Sequence, residues 1–103
     1  MTYHIFKRPS AERDIEECFV HIAEDNLDIG LSFLVAVGNS LEQLTKFPLI
    51  GKTREFQNKS LRNVRMWHVK NYESYLIFYA VIENGIEVIR VLLGARDIED
   101  LFS

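Results

Sequence analysis

The residues best suited to chemistry in this 103-residue chain are cationic, and the most informative of them is Arg90. It interrupts the otherwise near-continuous apolar run Ile86 to Leu93, which ends at Gly94-Ala95-Arg96-Asp97. A strand built only for packing has no use for a guanidinium, so Arg90 needs a carboxylate, a partner or a polar cleft. Arg62 and Arg65 lie upstream, and a meander would place Arg65 and Arg90 on strands flanking a common neighbour. Sharing one face, they would make a cationic floor that takes a carboxylate or phosphate in bidentate fashion. The register decides this. The alternative is that Arg90 is neutralised internally, by Asp97 or by an acid on a helix. His68 alternates with Val64 and Met66, as a hydrogen-bonded sheet histidine or as a general base. Trp67, between basic residues, is suited to core packing, to stacking or to anchoring a partner.

Other chemistries find no footing in the sequence. His4, His21 and His68 have no metal-ligand spacing, there is no Cys-x-x-Cys pair, and no metal site or cofactor is expected. The single cysteine, Cys18, falls in a helix-like apolar stripe and reads as a buried, inert thiol. The serines occupy no nucleophile-elbow context, and Gly51 and Gly94 are too isolated to cradle a phosphate. The first eight residues include Thr2, His4, Lys7 and Arg8, unlike a secretory signal, and the apolar run Tyr75 to Ile82 is too short to span a bilayer. The expectation is a cytoplasmic protein with no membrane association and one domain over residues 1–103.

Charge is segregated. Between Pro9 and Thr45 there are eight acids (Glu12, Asp14, Glu16, Glu17, Glu24, Asp25, Asp28, Glu42) and one base, Arg13. From Lys46 to Lys70 there are seven bases (Lys46, Lys52, Arg54, Lys59, Arg62, Arg65, Lys70) and one acid, Glu55. The basic segment is either a sheet edge balanced by acidic helices or a surface for an acidic protein segment or nucleic acid. The net charge of −3 is unlike that of most nucleic-acid binders.

The elements that must position these residues follow from hydrophobic period. Tyr3 to Lys7 suits a short first strand. Pro9-Ser10 opens a helix, with Ser10 as cap and Ala11, Ile15, Cys18, Phe19, Ile22 and Ala23 as its apolar stripe. Asp25-Asn26 breaks it. A second helix carries Leu27, Leu31, Leu34, Val35, Gly38, Leu41 and Leu44 on one face, widened by Phe33 and Val37, and ends at Pro48 and Gly51. Strands then run over Val64 to Val69, Tyr75 to Ile82 and Ile86 to Leu93. Asn71 to Ser74 forms the first turn and Asn84-Gly85 the second. Arg96 to Phe102 can add a terminal helical turn. The fold class is α+β: a first strand, an α-helical hairpin, then a three-stranded antiparallel meander with the helices packed on one face of the sheet.

Set in that order, Leu61-Arg62-Asn63-Val64-Arg65-Met66-Trp67, Tyr75-Leu76-Ile77-Phe78-Tyr79 and Ile89-Arg90-Val91-Leu92-Leu93-Gly94-Ala95-Arg96-Asp97 resemble the ParE/RelE toxin superfamily. The likeness covers nearly the whole chain and is nearest to the ParE branch of plasmid stabilisation proteins. Pro48-Leu49-Ile50-Gly51 with Arg54 is similar to that family's Pro-x-x-Gly-x-x-Arg loop, and Leu93 stands where members commonly carry histidine. The resemblance implies the toxin of a type II toxin–antitoxin system. A cognate antitoxin would wrap an extended or helical segment over it, in a hetero-oligomer or beside a toxin homodimer. It implies a non-catalytic DNA gyrase inhibitor, with Arg54, Arg62, Arg65, Trp67, Arg90 and Arg96 as target- or partner-binding residues and exposed strand apolars docking the antitoxin. The RelE branch offers the alternative of a ribosome-dependent messenger RNA endonuclease, with Lys52, Arg54, Arg62, His68 and Arg90 as its catalytic set. The chain has no tyrosine after Tyr79 and no histidine after His68, so it lacks that branch's usual C-terminal acid–base residue. A degenerate homologue that only binds antitoxin is the third reading.

Overall fold

In the computed structural model, residues 3–53 and 63–94 are described. Strand β1 (His4–Lys7) leads into helix α1 (Pro9–Asp25) and helix α2 (Leu27–Lys46). A two-residue strand β2 (Lys52–Thr53) precedes the meander of β3 (Val64–Val69), β4 (Tyr72–Ile82) and β5 (Gly85–Leu93). The described strands form one mixed sheet in the order β1-β5-β4-β3-β2. The α+β class and the antiparallel meander match the expectation. What the pattern did not give is that β1 joins β5 in parallel, pairing His4 with Gly85 and Lys7 with Val88, and that β2 adds a fifth strand beside β3. Four residues hold no information about which edge they will join.

Pro9 stands at the first helical turn of α1, where its missing N–H costs nothing. Ser10 is not the cap. Arg8 is, without a side-chain bond, while the Ser10 hydroxyl donates to the Ile89 carbonyl at 3.2 Å. The Asn26 side chain accepts from the Ile29 N–H and so caps α2, which makes the helix break a sharp corner. The first turn is tighter than expected. Asn71 takes a left-handed φ of 68° and β4 begins at once with Tyr72, so Tyr72 to Ser74 belong to the strand. The second connection uses Glu83-Asn84, and Gly85 is already paired with Ile82. A Cβ on Gly85 would clash with the His4 backbone, 2.7 Å from its nitrogen, so the close approach of β1 requires glycine there.

The helices pack over one face of the sheet. Phe33, Val37, Leu41 and Leu44 from α2 and Ala11 from α1 meet Ile77, Tyr79, Ile86, Val88 and Val91 in the main core. Phe33 meets Tyr72 edge-on at 5.3 Å and Tyr75 at 4.9 Å. A second cluster, Val64, Phe78 and Ile89 with Met66, Leu76 and Leu92 around it, forms from the intervening strand residues. The α2 stripe needs correction. Gly30, Phe33, Ala36, Val37, Ser40, Leu41 and Leu44 are buried, whereas Leu27, Leu31, Leu34, Val35 and Gly38 are exposed. Both sets recur at helical spacing, so period alone does not say which one faces the sheet.

Candidate functional site

Arg90 owes its setting to an irregularity in β5. Phe78 pairs with Arg90 but Tyr79 pairs with Val88, so Ile89 is an extra residue and the strand is bulged. Alternation therefore slips, and Ile86, Val88 and Val91 all join the helix-side core while Ile89 joins the other cluster. β1 ends at Lys7, and the Arg8 N–H makes the last bond of that kind to Val88. Beyond it, α1 takes over the strand edge through side chains. Ser10 satisfies the Ile89 carbonyl and the Asp14 carboxylate accepts the Val91 N–H at 3.0 Å.

Asp14 also receives Arg90 in bidentate fashion, Nε at 2.6 Å and Nη2 at 3.0 Å. It is only 7% exposed. Hydrogen bonding to Asp14 raises the Arg90 pKa further above its ordinary value, against the lowering effect of burial. The helix acid foreseen as one possible partner of Arg90 is therefore Asp14. Nothing in the sequence separates Asp14 from the seven other acids of this helical region, except that it falls on the Ala11–Ile15–Cys18 side of α1. Burial, with Asp14 and Glu17 adding to it, pushes the neighbouring Cys18 thiol up to about 11, as befits an inert cysteine.

Arg65 does a different job. It donates to the Gly51 carbonyl at 2.7 Å and to the Leu49 carbonyl at 3.3 Å, tying down the loop after α2. The fully buried Tyr79 holds that loop from beneath, its hydroxyl donating to Pro48 O at 2.7 Å and accepting from Gly51 N–H at 2.9 Å. Burial raises the Tyr79 pKa, and the Gly51 N–H and the Arg65 charge work in the lowering direction. The described contacts thus bind Arg65 to a loop and Arg90 to α1 rather than joining them in one cationic floor.

The remaining described candidates do come together. Lys52 pairs with Met66 across β2 and β3, and His68 pairs with Leu76 across β3 and β4. With Trp67 and Glu73 they line an open groove of about 430 Å³. Met66 and Leu76 give it an apolar floor with cationic, imidazole and carboxylate groups around it. Trp67 is half-buried against the helix-side core and stacks near His68 at 4.7 Å. The groove suits recognition of a side chain or a base by contact. Arg54, Arg62 and Arg96, and the terminal turn expected at 96–102, lie outside the described residues. Among the described residues no three His, Cys, Asp or Glu side chains converge on a metal position, and no helix is long and apolar enough to cross a membrane.

This arrangement of helical hairpin and mixed sheet has known counterparts. The profile of the ParE toxin of type II toxin–antitoxin systems (parDE) matches residues 5–98, and the chain belongs to that family. Its fold is similar to that of a solved chain from the chromosomal ParDE toxin–antitoxin system of P. aeruginosa. The TM-score is 0.71 at 13% identity, covering 91% of this chain and 98% of the other. No curated protein matches in sequence.

Proposed function

We propose that this toxin acts in the cytoplasm by binding DNA gyrase, without catalysis, and is silenced by a cognate antitoxin that covers part of its surface. Membership of the ParE family supports the reading. The observation that carries it is the use made of Arg90. A ribonuclease would want this guanidinium on a scissile phosphate, yet Asp14 holds two of its nitrogens in a partly buried pair. Lys52 and His68 share the groove, but Arg90 lies against α1 in a separate depression with Ser10, Arg13, Asp14 and Glu17. The RelE-type set is thus divided between two places. Target contact then falls to the groove of Lys52, Trp67 and His68 and, as proposals from the sequence, to Arg54, Arg62 and Arg96.

Induction in bacteria separates the readings when DNA integrity and message cleavage are followed side by side. Gyrase binding predicts DNA damage with intact messages, and inhibition of supercoiling by the purified protein. Discrete cuts in messages that vanish in a folded His68→Ala variant would replace this reading by an endonuclease. No growth arrest, with antitoxin still bound, would identify a homologue that has lost its toxicity.

A further inference from the structure

The loop that joins α2 to β2 is fixed more firmly than a connection needs. The carbonyls of Phe47, Pro48, Leu49 and Gly51 are each taken, by the Ile50 N–H at 3.1 Å, the Tyr79 hydroxyl at 2.7 Å and Arg65 at 3.3 and 2.7 Å. The Gly51 N–H is taken as well, by the same Tyr79 oxygen. Ile50 packs inward on the main core. What this clamp leaves in solvent is apolar: Leu49 is 68% and Phe47 61% exposed. Single exposed apolar residues are ordinary on a protein surface. Here two large ones lie within about 7 Å of each other along the backbone. A loop already held in one form loses little conformational entropy when a partner closes over it, and an apolar anchor on such a backbone is what a binding surface needs at its centre.

Charge selects the partner. Lys46 precedes the pair and Lys52 follows it, both exposed, and Glu42 is the one acid between Leu41 and Thr53. Lys52 also lines the groove of Met66, Trp67, His68, Glu73 and Leu76, so the loop runs directly into that groove. A second copy of the chain would set these lysines against themselves. A nucleic acid backbone would use the lysines and leave the phenylalanine and leucine in solvent, and the net charge of −3 opposes it. A protein surface with an apolar cleft edged by Asp and Glu uses both features.

We propose that Phe47 and Leu49 are the apolar anchor of this toxin on gyrase, seated in a cleft of the enzyme protein whose rim carries carboxylates for Lys46 and Lys52. The proposal rests on the gyrase reading and adds to it the contact and the chemistry of the surface that receives it. It differs from the contact suggested by the sequence, which falls on arginines and Trp67.

The test measures inhibition of gyrase supercoiling by the purified toxin, beside its calorimetric affinity for full-length cognate antitoxin. Phe47→Ala/Leu49→Ala should raise the half-inhibiting concentration about 50-fold and leave antitoxin affinity within about threefold. Val35→Ala, at an exposed apolar position on α2, should leave inhibition within about threefold. Lys46→Gln/Lys52→Gln should weaken inhibition about fivefold in low salt and less in high salt. Tyr79→Phe leaves both anchors in place but releases Pro48 and Gly51, and should weaken inhibition about fivefold. Circular dichroism confirms that each variant is folded, and Leu49→Ser, a single change at an exposed position, replaces the alanine pair if that pair is not. Wild-type inhibition by the folded loop variant overturns the proposal and leaves the gyrase reading standing. So does an equal loss of antitoxin affinity, or an affinity for duplex DNA alone that the loop variant loses. Failure of the wild-type toxin to inhibit supercoiling overturns the gyrase reading and the proposal with it.

Discussion

Replacing Asp14 is the most direct challenge to the view that Arg90 is a structural arginine. In Asp14→Ala three hydrogen bonds disappear, two to the guanidinium and one to the Val91 N–H. The strand N–H is buried and has no water to turn to, so its orphaning costs about 1–3 kcal/mol. The Arg90 side chain keeps a quarter of its surface in solvent and rehydrates in part, which lowers its share from the several kcal/mol of a fully buried broken pair to about 1–2. The total is about 3 kcal/mol, or a melting point lower by roughly 10–20 °C for a chain of this size. Asp14→Asn retains an acceptor for Val91 and should cost about half as much. Arg90→Met in the Asp14→Leu background should cost less than the two single changes added together, because it removes the charge that has lost the Asp14 carboxylate. Urea unfolding followed by fluorescence of the single tryptophan, Trp67, half-buried against the core, measures all of these variants. Equal stability of Asp14→Ala and wild type within 0.5 kcal/mol, roughly the spread of ordinary surface substitutions, would refute the reasoning.

Other perturbations test the supports around it. A Cβ at Gly51 would meet the Tyr79 ring, 2.7 Å from Cε1, so Gly51→Ala should cost about 1–3 kcal/mol in the same unfolding assay. Tyr79→Phe removes the bonds to Pro48 and Gly51 and should cost about 1–2 kcal/mol while raising hydrogen exchange of the Gly51 amide. Ser40→Ala should cost about 1–2 kcal/mol, because the buried Ser40 hydroxyl accepts the Lys70 N–H at 2.9 Å and fixes α2 to the first turn of the meander. Cys18 should alkylate slowly at pH 8, since its thiol is held neutral up to about 11. Its sign is that of a raised pKa: the unfolded chain releases the proton first, so this contribution to stability is complete below pH 9.0 and is lost as pH rises through about 11. Titrating the unfolding midpoint against pH in wild type and Cys18→Ala isolates it.

The first strand, the two helices, the three meander strands and the Asn84 turn were legible because each depends on local chemistry: alternation, a proline at a helix start, an asparagine at a corner. What stayed hidden depends on long-range pairing. The parallel alliance of β1 with β5 joins His4–Lys7 to Gly85–Val88 across some eighty residues of chain, and no local pattern encodes it. The bulge at Ile89 is invisible because Ile86 to Leu93 is apolar on both faces, so no alternation exists for a slip to disturb. α2 misled for a related reason. It carries two apolar faces, and hydrophobicity ranks the outward set, with its three leucines, no lower than the buried set that includes Gly30, Ala36 and Ser40. The small residues are the signal that was missed. Gly30 faces Ala23 and Phe19 so closely that a Cβ would lie 2.9 Å from the Ala23 Cβ, and close helix packing demands small side chains on the inner side.

The same reasoning separates structural from functional arginine in this sheet. β5 needs partners for its backbone beyond Val88, and α1 supplies them through Ser10 and Asp14. A carboxylate buried for that purpose must be neutralised, and Arg90 does so through two guanidinium nitrogens. The guanidinium that looked out of place in an apolar run is therefore a consequence of how α1 closes the edge of β5. A loss of toxicity on changing Arg90 would follow from weakening that edge alone. A target-binding role for the arginine is distinguished by rescue: Asp14→Leu/Arg90→Met restores much of the stability but not the guanidinium. A folded double variant that remains toxic makes Arg90 a residue of the fold, and one that is stable yet harmless places it in the contact with the target.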